Sequence, residues 1–239
     1  MNENSFKSIV FEIIFNWIER FFIFFGFVLV RNTPCLPRKR IMGMDYRAWD
    51  YNRYSSLELC AYEILNRRIE GAIAELGVYQ GVFASKLNEV FPERNLYLFD
   101  TFEGFEKKDI EIEKQGSTNL DGVNIDFTDT AVDYVLKKMR YKDKCIIKKG
   151  YFPDTVENLD EKFAFVSIDA DLYKPILDGL VYFYPRLTKG GYIFIHDFNN
   201  IIFPRAKEAV MKFCSENGVN YFPLSDVGGT VVIPKLINL

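Results

Sequence analysis

The chain has 239 residues, 49% of them hydrophobic and 26% charged, which suits one well-buried domain with a short extension, leaves too little for two enzymatic domains, and excludes a disordered or low-complexity chain. The 30 Lys and Arg nearly balance 33 Asp and Glu, so the net charge of -3 supplies no general field for nucleic acid, and none is expected as a partner. Four cysteines, at 35, 60, 145 and 214, fit neither a zinc pattern nor a disulfide framework and read as reduced thiols of a cytoplasmic protein.

Much of the aromatic excess, 16% with 23 Phe, lies in the first thirty residues. Lys7, Glu12, Glu19 and Arg20 interrupt that apolar stretch and leave only Phe21 to Val30 uncharged, too short a run to span a bilayer. A signal peptide fits poorly, because Met1-Asn2-Glu3-Asn4 lacks a basic region and no small-residue cleavage site follows Val30. Phe6, Ile9, Ile13, Trp17, Phe21 and Phe24 recur at three- and four-residue steps, which predicts a helix with one apolar face. Docking on its own domain or on a partner subunit, as in a homo-oligomer, is the plainer use of that face. Peripheral membrane contact through residues 6–30 is the sharper one, although the polar face is not notably basic. Two prolines and four basic side chains in residues 31–40 read as a linker, dividing the chain into an extension, 1–40, and a domain, 41–239.

Leu57, Cys60, Ala61, Ile64 and Leu65 predict a helix from Ser55 to Arg68, capped by Ser55 or Ser56. Strands then read at 72–76, 96–99, 145–148, 163–168 and 192–195, and helices at 84–90, 132–139, 176–184 and 206–216. A hairpin of 220–224 and 230–233, joined through Gly228-Gly229, closes the pattern. This alternation is that of an α/β, Rossmann-like, doubly wound sheet.

Open sheets of this kind bind ligands at the carboxyl ends of their strands, where Glu75-Leu-Gly77-Val-Tyr79-Gln-Gly81 turns from the first strand into a helix. The glycines permit close backbone approach, as in many such turns, but Glu75 is selective. A carboxylate there repels a pyrophosphate and pairs with an ammonium, such as the amino acid end of S-adenosylmethionine. Asp100, 25 residues beyond Glu75, ends the second strand where an acid can accept hydrogen bonds from ribose hydroxyls; the plainer role for Asp100-Thr101 is a cap or turn.

Two further strands end in acids: Phe163 to Ile168 runs into Asp169-Ala170-Asp171, and Tyr192 to Ile195 into His196-Asp197. If these strands are neighbours, their ends lie roughly 5 Å apart and Asp169 and Asp197 can share one divalent cation. Oxygen ligands favour Mg²⁺, and a cation beside an alcohol oxygen lowers the pKa of that hydroxyl. Asp171, two residues beyond Asp169, is then placed as the general base. His196, the only histidine, is either a further metal ligand or a hydrogen-bonded structural residue, imidazole suiting softer metals than Mg²⁺.

Ala74-Glu-Leu-Gly-Val-Tyr-Gln-Gly81, Leu96-Tyr-Leu-Phe-Asp-Thr-Phe-Glu-Gly104, Ser167-Ile-Asp-Ala-Asp-Leu-Tyr173 and Tyr184-Pro-Arg-Leu-Thr-Lys-Gly-Gly191 together resemble the macrocin O-methyltransferase family (TylF/MycF type), over roughly residues 55 to 235. The resemblance implies a seven-stranded sheet, mostly parallel with an antiparallel last strand, and S-adenosylmethionine contacts at Glu75, Gly77, Tyr79, Gly81, Asp100, Thr101 and Asp169. It implies a Mg²⁺ site on Asp169 and Asp197, Asp171 as base, and methylation of a sugar hydroxyl on a natural product or glycoconjugate. One departure is His196, where the family usually carries the first of two consecutive acids. Lys148-Lys-Gly-Tyr-Phe-Pro-Asp-Thr155 resembles the segment that places Gly150 and Tyr151 near the adenine, and the loop from Glu106 to Asp126 is expected to cover the site as a lid. A catechol- or phenol-type O-methyltransferase and a non-catalytic cofactor-binding scaffold are the competing readings.

Overall fold

A computed structural model describes residues 50–115 and 126–236, together with positions 14, 17, 18, 20–22, 24 and 25. The chain divides into two compact units, residues 1–39 and 40–239. In the first, the described positions from Ile14 to Phe24 are helical, as the apolar spacing predicts, and Phe25 stands in a turn. Phe6, Ile9, Ile13 and the 31–40 linker lie outside the described residues. Among the described residues, no helix is long and apolar enough to cross a membrane.

In the second unit helix α1 spans Tyr51–Asn66, so it begins ahead of the expected serine cap. The hydroxyl of Ser55 instead donates to the carbonyl of Asn52 within the helix. The buried face extends backward from Leu57 to Tyr54 and Arg53, and that burial carries the helix past the serines. Then follow β1 (Ala72–Leu76), α2 (Val82–Val90), β2 (Leu96–Asp100), α3 (Lys107–Gln115), α4 (Val132–Lys138) and β3 (Cys145–Lys149). The chain ends with β4 (Phe163–Ile168), α5 (Tyr173–Arg186), β5 (Leu187–Ile195), α6 (Arg205–Asn217), β6 (Phe222–Pro223) and β7 (Val231–Pro234).

The strands form one seven-stranded sheet in the order β3-β2-β1-β4-β5-β7-β6. The first five are parallel, and β7 runs antiparallel to both β5 and β6, giving the expected reversed last strand. Every residue of β1 and β4 is buried, as continuous apolar runs in the middle of a parallel sheet require. Along β2, side chains alternate between two cores: Tyr97 and Phe99 pack with Phe163, Ile176 and Phe183 on one face, while Leu96 and Leu98 pack with Leu57, Leu87 and Phe165 on the other. Each such buried side chain contributes about 1.5–3 kcal/mol of transfer free energy.

The segment expected as a lid loop is half helix. Lys107–Gln115 forms α3, and residues 116–125 lie outside the described residues. Lys, Glu and Gln are good helix formers, and Asp109 in the first turn with Lys114 in the last complements the helix dipole. The two residues α3 buries are acids, Asp109 and Glu113, so no apolar stripe announced it.

The order of strands reverses between β1 and β4, and the pairing of Ile168 with Ile195 brings the ends of β4 and β5 level. The backbone N–H of His196 donates to the carbonyl of Ile168 at 2.9 Å, so Asp169 and His196 leave the sheet side by side. The pairing of β4 with β5 meets the condition for a shared acidic opening, one strand over from the topological switch point between β1 and β4.

Candidate active site

Glu75, next to last in buried β1 and 1% exposed, accepts the N–H of Ala84, while its Oε2 has no hydrogen-bond partner. Desolvation pushes its carboxyl well above the ordinary range; the charge of Asp169 adds to this and Arg53 opposes it. Gly77 holds a φ of +83°, and a Cβ there would stand 2.1 Å from the carbonyl oxygen of Asp169. Only glycine lets β1 turn this close to β4.

Asp100 organises the turn. Its Oδ2 accepts the backbone N–H groups of Val78 (2.7 Å) and Tyr79 (2.8 Å), and its Oδ1 that of Phe102 (2.6 Å). A carboxylate has about four acceptor positions, so one remains for a ribose hydroxyl while three brace the loop. The Thr101 hydroxyl is engaged in its own turn, donating to Gly104 at 2.7 Å and accepting from Glu103, while the residue lines the smaller of two cavities over this turn. Gly81 begins α2 in a left-handed conformation, outside the cavity lining.

Two cavities meet over this turn. The smaller, about 100 Å³, is bounded by Tyr79, Asp100, Phe105, Phe127, Gly150 and Tyr151. Gly150 is tied to β2 by its N–H to the carbonyl of Asp100 (2.9 Å), and the Tyr151 hydroxyl donates to Asp109 of α3 at 3.0 Å. The larger, about 630 Å³, is bounded by Asp50, Arg53, Glu75, Gln80, His196 and Asp197. Gly77, Tyr79, Asp169 and Asp171 line both, which makes them two parts of one site.

At the mouth of the larger cavity Asp169, His196 and Asp197 each offer a donor atom, all within 4.8 Å of one another. Nδ1 of His196 lies 3.1 Å from Oδ1 of Asp169 and 2.9 Å from Oδ2 of Asp197. Burial alone would raise the Asp169 pKa, but His196 and Arg53 outweigh it and hold that carboxyl well below the usual range. Burial likewise disfavours the imidazolium, yet the facing Asp169 carboxylate pushes the His196 pKa up to about 10. Asp171 is raised well above its ordinary value by burial, then by the charges of Asp197 and Asp169. Asp171 and Asp197 both take positive φ, 56° and 61°, a strained conformation that Asp tolerates better than most residues. Two carboxylates and an imidazole converging from adjoining strand ends suit a divalent cation in charge and donor type.

Arg53 and Asp50, which the motifs of the sequence do not single out, also line the larger cavity. Arg53 is 4% exposed, donates to Oδ2 of Asp169 at 2.9 Å, and lies 3.9 Å over the Phe83 ring. Burial pushes the Asp50 carboxyl up to about 6, with Arg53 and then His196 pulling it back. A signal existed: Arg53 stands four residues before Leu57, a charge inside the apolar stripe of α1.

Residues 28–234 match the family described as Macrocin-O-methyltransferase (TylF). The chain is similar to mycinamicin III 3''-O-methyltransferase of Micromonospora griseorubida, 27% identical over 209 residues covering 80% of this chain and 81% of that one. It is also similar to 8-demethyl-8-(2,3-dimethoxy-alpha-L-rhamnosyl)-tetracenomycin-C 4'-O-methyltransferase of Streptomyces olivaceus, 23% identical over 219 residues covering 81% and 78% of the two chains. Among solved structures, the O-methyltransferase NovP superposes with a TM-score of 0.63 at 18% identity, over 78% of this chain and 80% of that one. A calicheamicin methyltransferase superposes at 0.62 and 20%, over 79% and 80%. These structures share the fold.

Proposed function

Because the chain belongs to the macrocin-O-methyltransferase (TylF) family of S-adenosylmethionine-dependent O-methyltransferases, we propose that it methylates a sugar hydroxyl on a natural product or glycoconjugate with the help of a divalent cation. Similarity to the mycinamicin and tetracenomycin enzymes supports the acceptor class. The observation that carries the reading is a single opening in which the unpartnered Oε2 of Glu75 and the Asp169–His196–Asp197 donors line one cavity.

In this reading Glu75 receives the ammonium of the methionine moiety, the remaining acceptor position of Asp100 takes a ribose hydroxyl, and Gly150 and Tyr151 flank the adenine. S-adenosylmethionine fits the residues present, since a buried carboxylate with one oxygen lacking a hydrogen-bond partner can receive a cationic group. Asp169, His196 and Asp197 hold the cation, whose chemistry is to lower the pKa of a nearby hydroxyl. Asp171 takes the acceptor proton: burial and its acidic neighbours raise its proton affinity, which a carboxylate needs to deprotonate an alcohol. Phe105 and Phe127, whose rings lie 4.9 Å apart between centroids, exclude water beside the cofactor cavity. Self-association or peripheral membrane contact through the aromatic N-terminal helix belongs to the same proposal.

Asp171→Asn tests it, with methyl transfer from labelled S-adenosylmethionine to a panel of glycosides. We expect kcat to fall about 10²–10⁴-fold with S-adenosylhomocysteine affinity within a few-fold of the parent protein. Unchanged turnover would remove Asp171 as base, and absence of transfer to every glycoside alongside transfer to catechols would redirect the acceptor class.

A further inference from the structure

Each carboxylate of the three-residue cluster has one oxygen already engaged. The guanidinium of Arg53 holds Oδ2 of Asp169 at 2.9 Å, and Nδ2 of Asn200 donates to Oδ1 of Asp197 at 2.8 Å. Oδ1 of Asp169 and Oδ2 of Asp197 remain, and both face the same imidazole nitrogen, Nδ1 of His196, at 3.1 and 2.9 Å. The ring is fixed from its other side. A Cβ on Gly228 would fall 2.3 Å from both Cε1 and Nε2, so the β6–β7 turn leaves room for the imidazole and for nothing more. Two further oxygens without hydrogen-bond partners, Oδ1 of Asp50 and Oε2 of Glu75, are buried along the same cavity.

Partners that immobilise the far oxygen of each carboxylate, with packing that immobilises a ring, are the outer-sphere arrangement that orients metal ligands. What they orient here is one nitrogen and two oxygens. Mg²⁺ is hard, holds its water tightly and prefers an all-oxygen environment, whereas imidazole binds well to the later divalent ions of the first transition row. Resting on the cation-assisted reading above, we infer that this N,O,O set selects a divalent transition ion of the Mn²⁺ to Zn²⁺ series over Mg²⁺, with His196 an inner ligand through Nδ1. The Arg53 contact leaves Asp169 a single free oxygen, and the Asn200 contact, with Asp171 also hydrogen-bonded to Asp197, leaves Asp197 no more than one. The imidazole is thus the third donor and the one that sets the preference.

The chain carries a single histidine, so any imidazole signal from untagged protein comes from His196. Full-length protein stripped with chelator is titrated with Mn²⁺ and with Mg²⁺, without cofactor or acceptor, and the Mn²⁺-loaded protein is examined by pulsed electron paramagnetic resonance. We expect one Mn²⁺ per chain, bound about 100-fold more tightly than Mg²⁺ and showing ¹⁴N coupling. His196→Asp should lose that coupling and narrow the Mn²⁺ to Mg²⁺ affinity ratio at least about tenfold. Mn²⁺ bound without ¹⁴N coupling overturns the inference and leaves cation assistance standing. No bound Mn²⁺ or Mg²⁺ removes cation assistance itself. Should His196→Asp fail to fold, the nitrogen coupling of the parent protein still decides.

Discussion

Burial places the Glu75 carboxyl well above its ordinary value of 4.5, Asp169 and Asp100 push the same way, and Arg53 with the N–H of Ala84 pulls back. The folded state therefore holds this proton more tightly than the unfolded chain, so its stability is greatest below the unfolded value and falls as pH rises toward the folded one. An ammonium placed against Oε2 favours the charged form. Binding of S-adenosylhomocysteine is accordingly expected to release a proton, and its affinity to rise with pH by up to about tenfold per unit until Glu75 ionises in the free protein. Calorimetry in buffers of different ionisation enthalpy reads this directly. Glu75→Gln should flatten the pH dependence and weaken binding about 10–100-fold, in line with loss of a hydrogen bond to a charged group, without lowering the melting temperature. A pH-independent affinity in the parent protein would place the ammonium elsewhere. Glu75 was legible as a candidate because a carboxylate beside the glycine turn repels a pyrophosphate and suits an ammonium. Asp100 was only half legible, since its bonds to Val78, Tyr79 and Phe102 depend on a loop conformation that spacing does not encode.

Helix α3 packs Ile110 against Leu172 and Phe203, and polar contacts supply much of its remaining attachment. Glu113, fully buried, accepts the backbone N–H of Tyr173 at the start of α5 (3.0 Å), Arg205 donates to the carbonyl of Ile112, and Asp109 receives the Tyr151 hydroxyl. Glu113→Ala removes a buried acceptor and should cost about 1–3 kcal/mol. Its clearer signature is faster amide exchange across residues 107–115 and a raised KM for S-adenosylmethionine, because Glu106 and Asp109 line the smaller cavity. Exchange unchanged in α3 would show that other contacts dock it. The N-terminal helix presents the opposite chemistry, with Trp17 72% and Phe24 83% exposed. Amphipathic binding scales with buried apolar area, so if this face meets a membrane, full-length protein co-sediments with vesicles and a chain lacking residues 1–30 stays in solution. Equal behaviour of the two would leave self-association as the use of that face.

Across the whole molecule, acids gather at one edge of the sheet: Glu75, Asp100, Asp169, Asp171 and Asp197 all stand at the site, in a chain whose net charge is only -3. Their mutual repulsion is relieved by Arg53 and His196 in the free protein, and cofactor ammonium and cation should relieve it further. S-adenosylhomocysteine at 100 times its Kd is expected to add about 2.7 kcal/mol and raise the melting temperature by about 5–10 °C, readable by scanning calorimetry. No shift would mean the cavity does not take this ligand. The fold class and the candidate residues at the strand ends were legible because they follow from local regularities: apolar runs the length of a buried strand, glycine at a forced turn, acids where strands stop; the adjacency of β4 and β5 entered only as a condition. The serine cap expected for α1 and the unbroken lid loop were not, because both depended on what the rest of the fold buries, Arg53 and Tyr54 in the one case and Asp109 and Glu113 in the other. The amino acid sequence by itself determined which residues carry charge to the carboxyl edge of the sheet. Only the tertiary structure decided which oxygen of Asp169 and of Asp197 stays free, since that choice is made by Arg53, which reaches the site from α1, and by the loop conformation that turns Asn200 back onto Asp197.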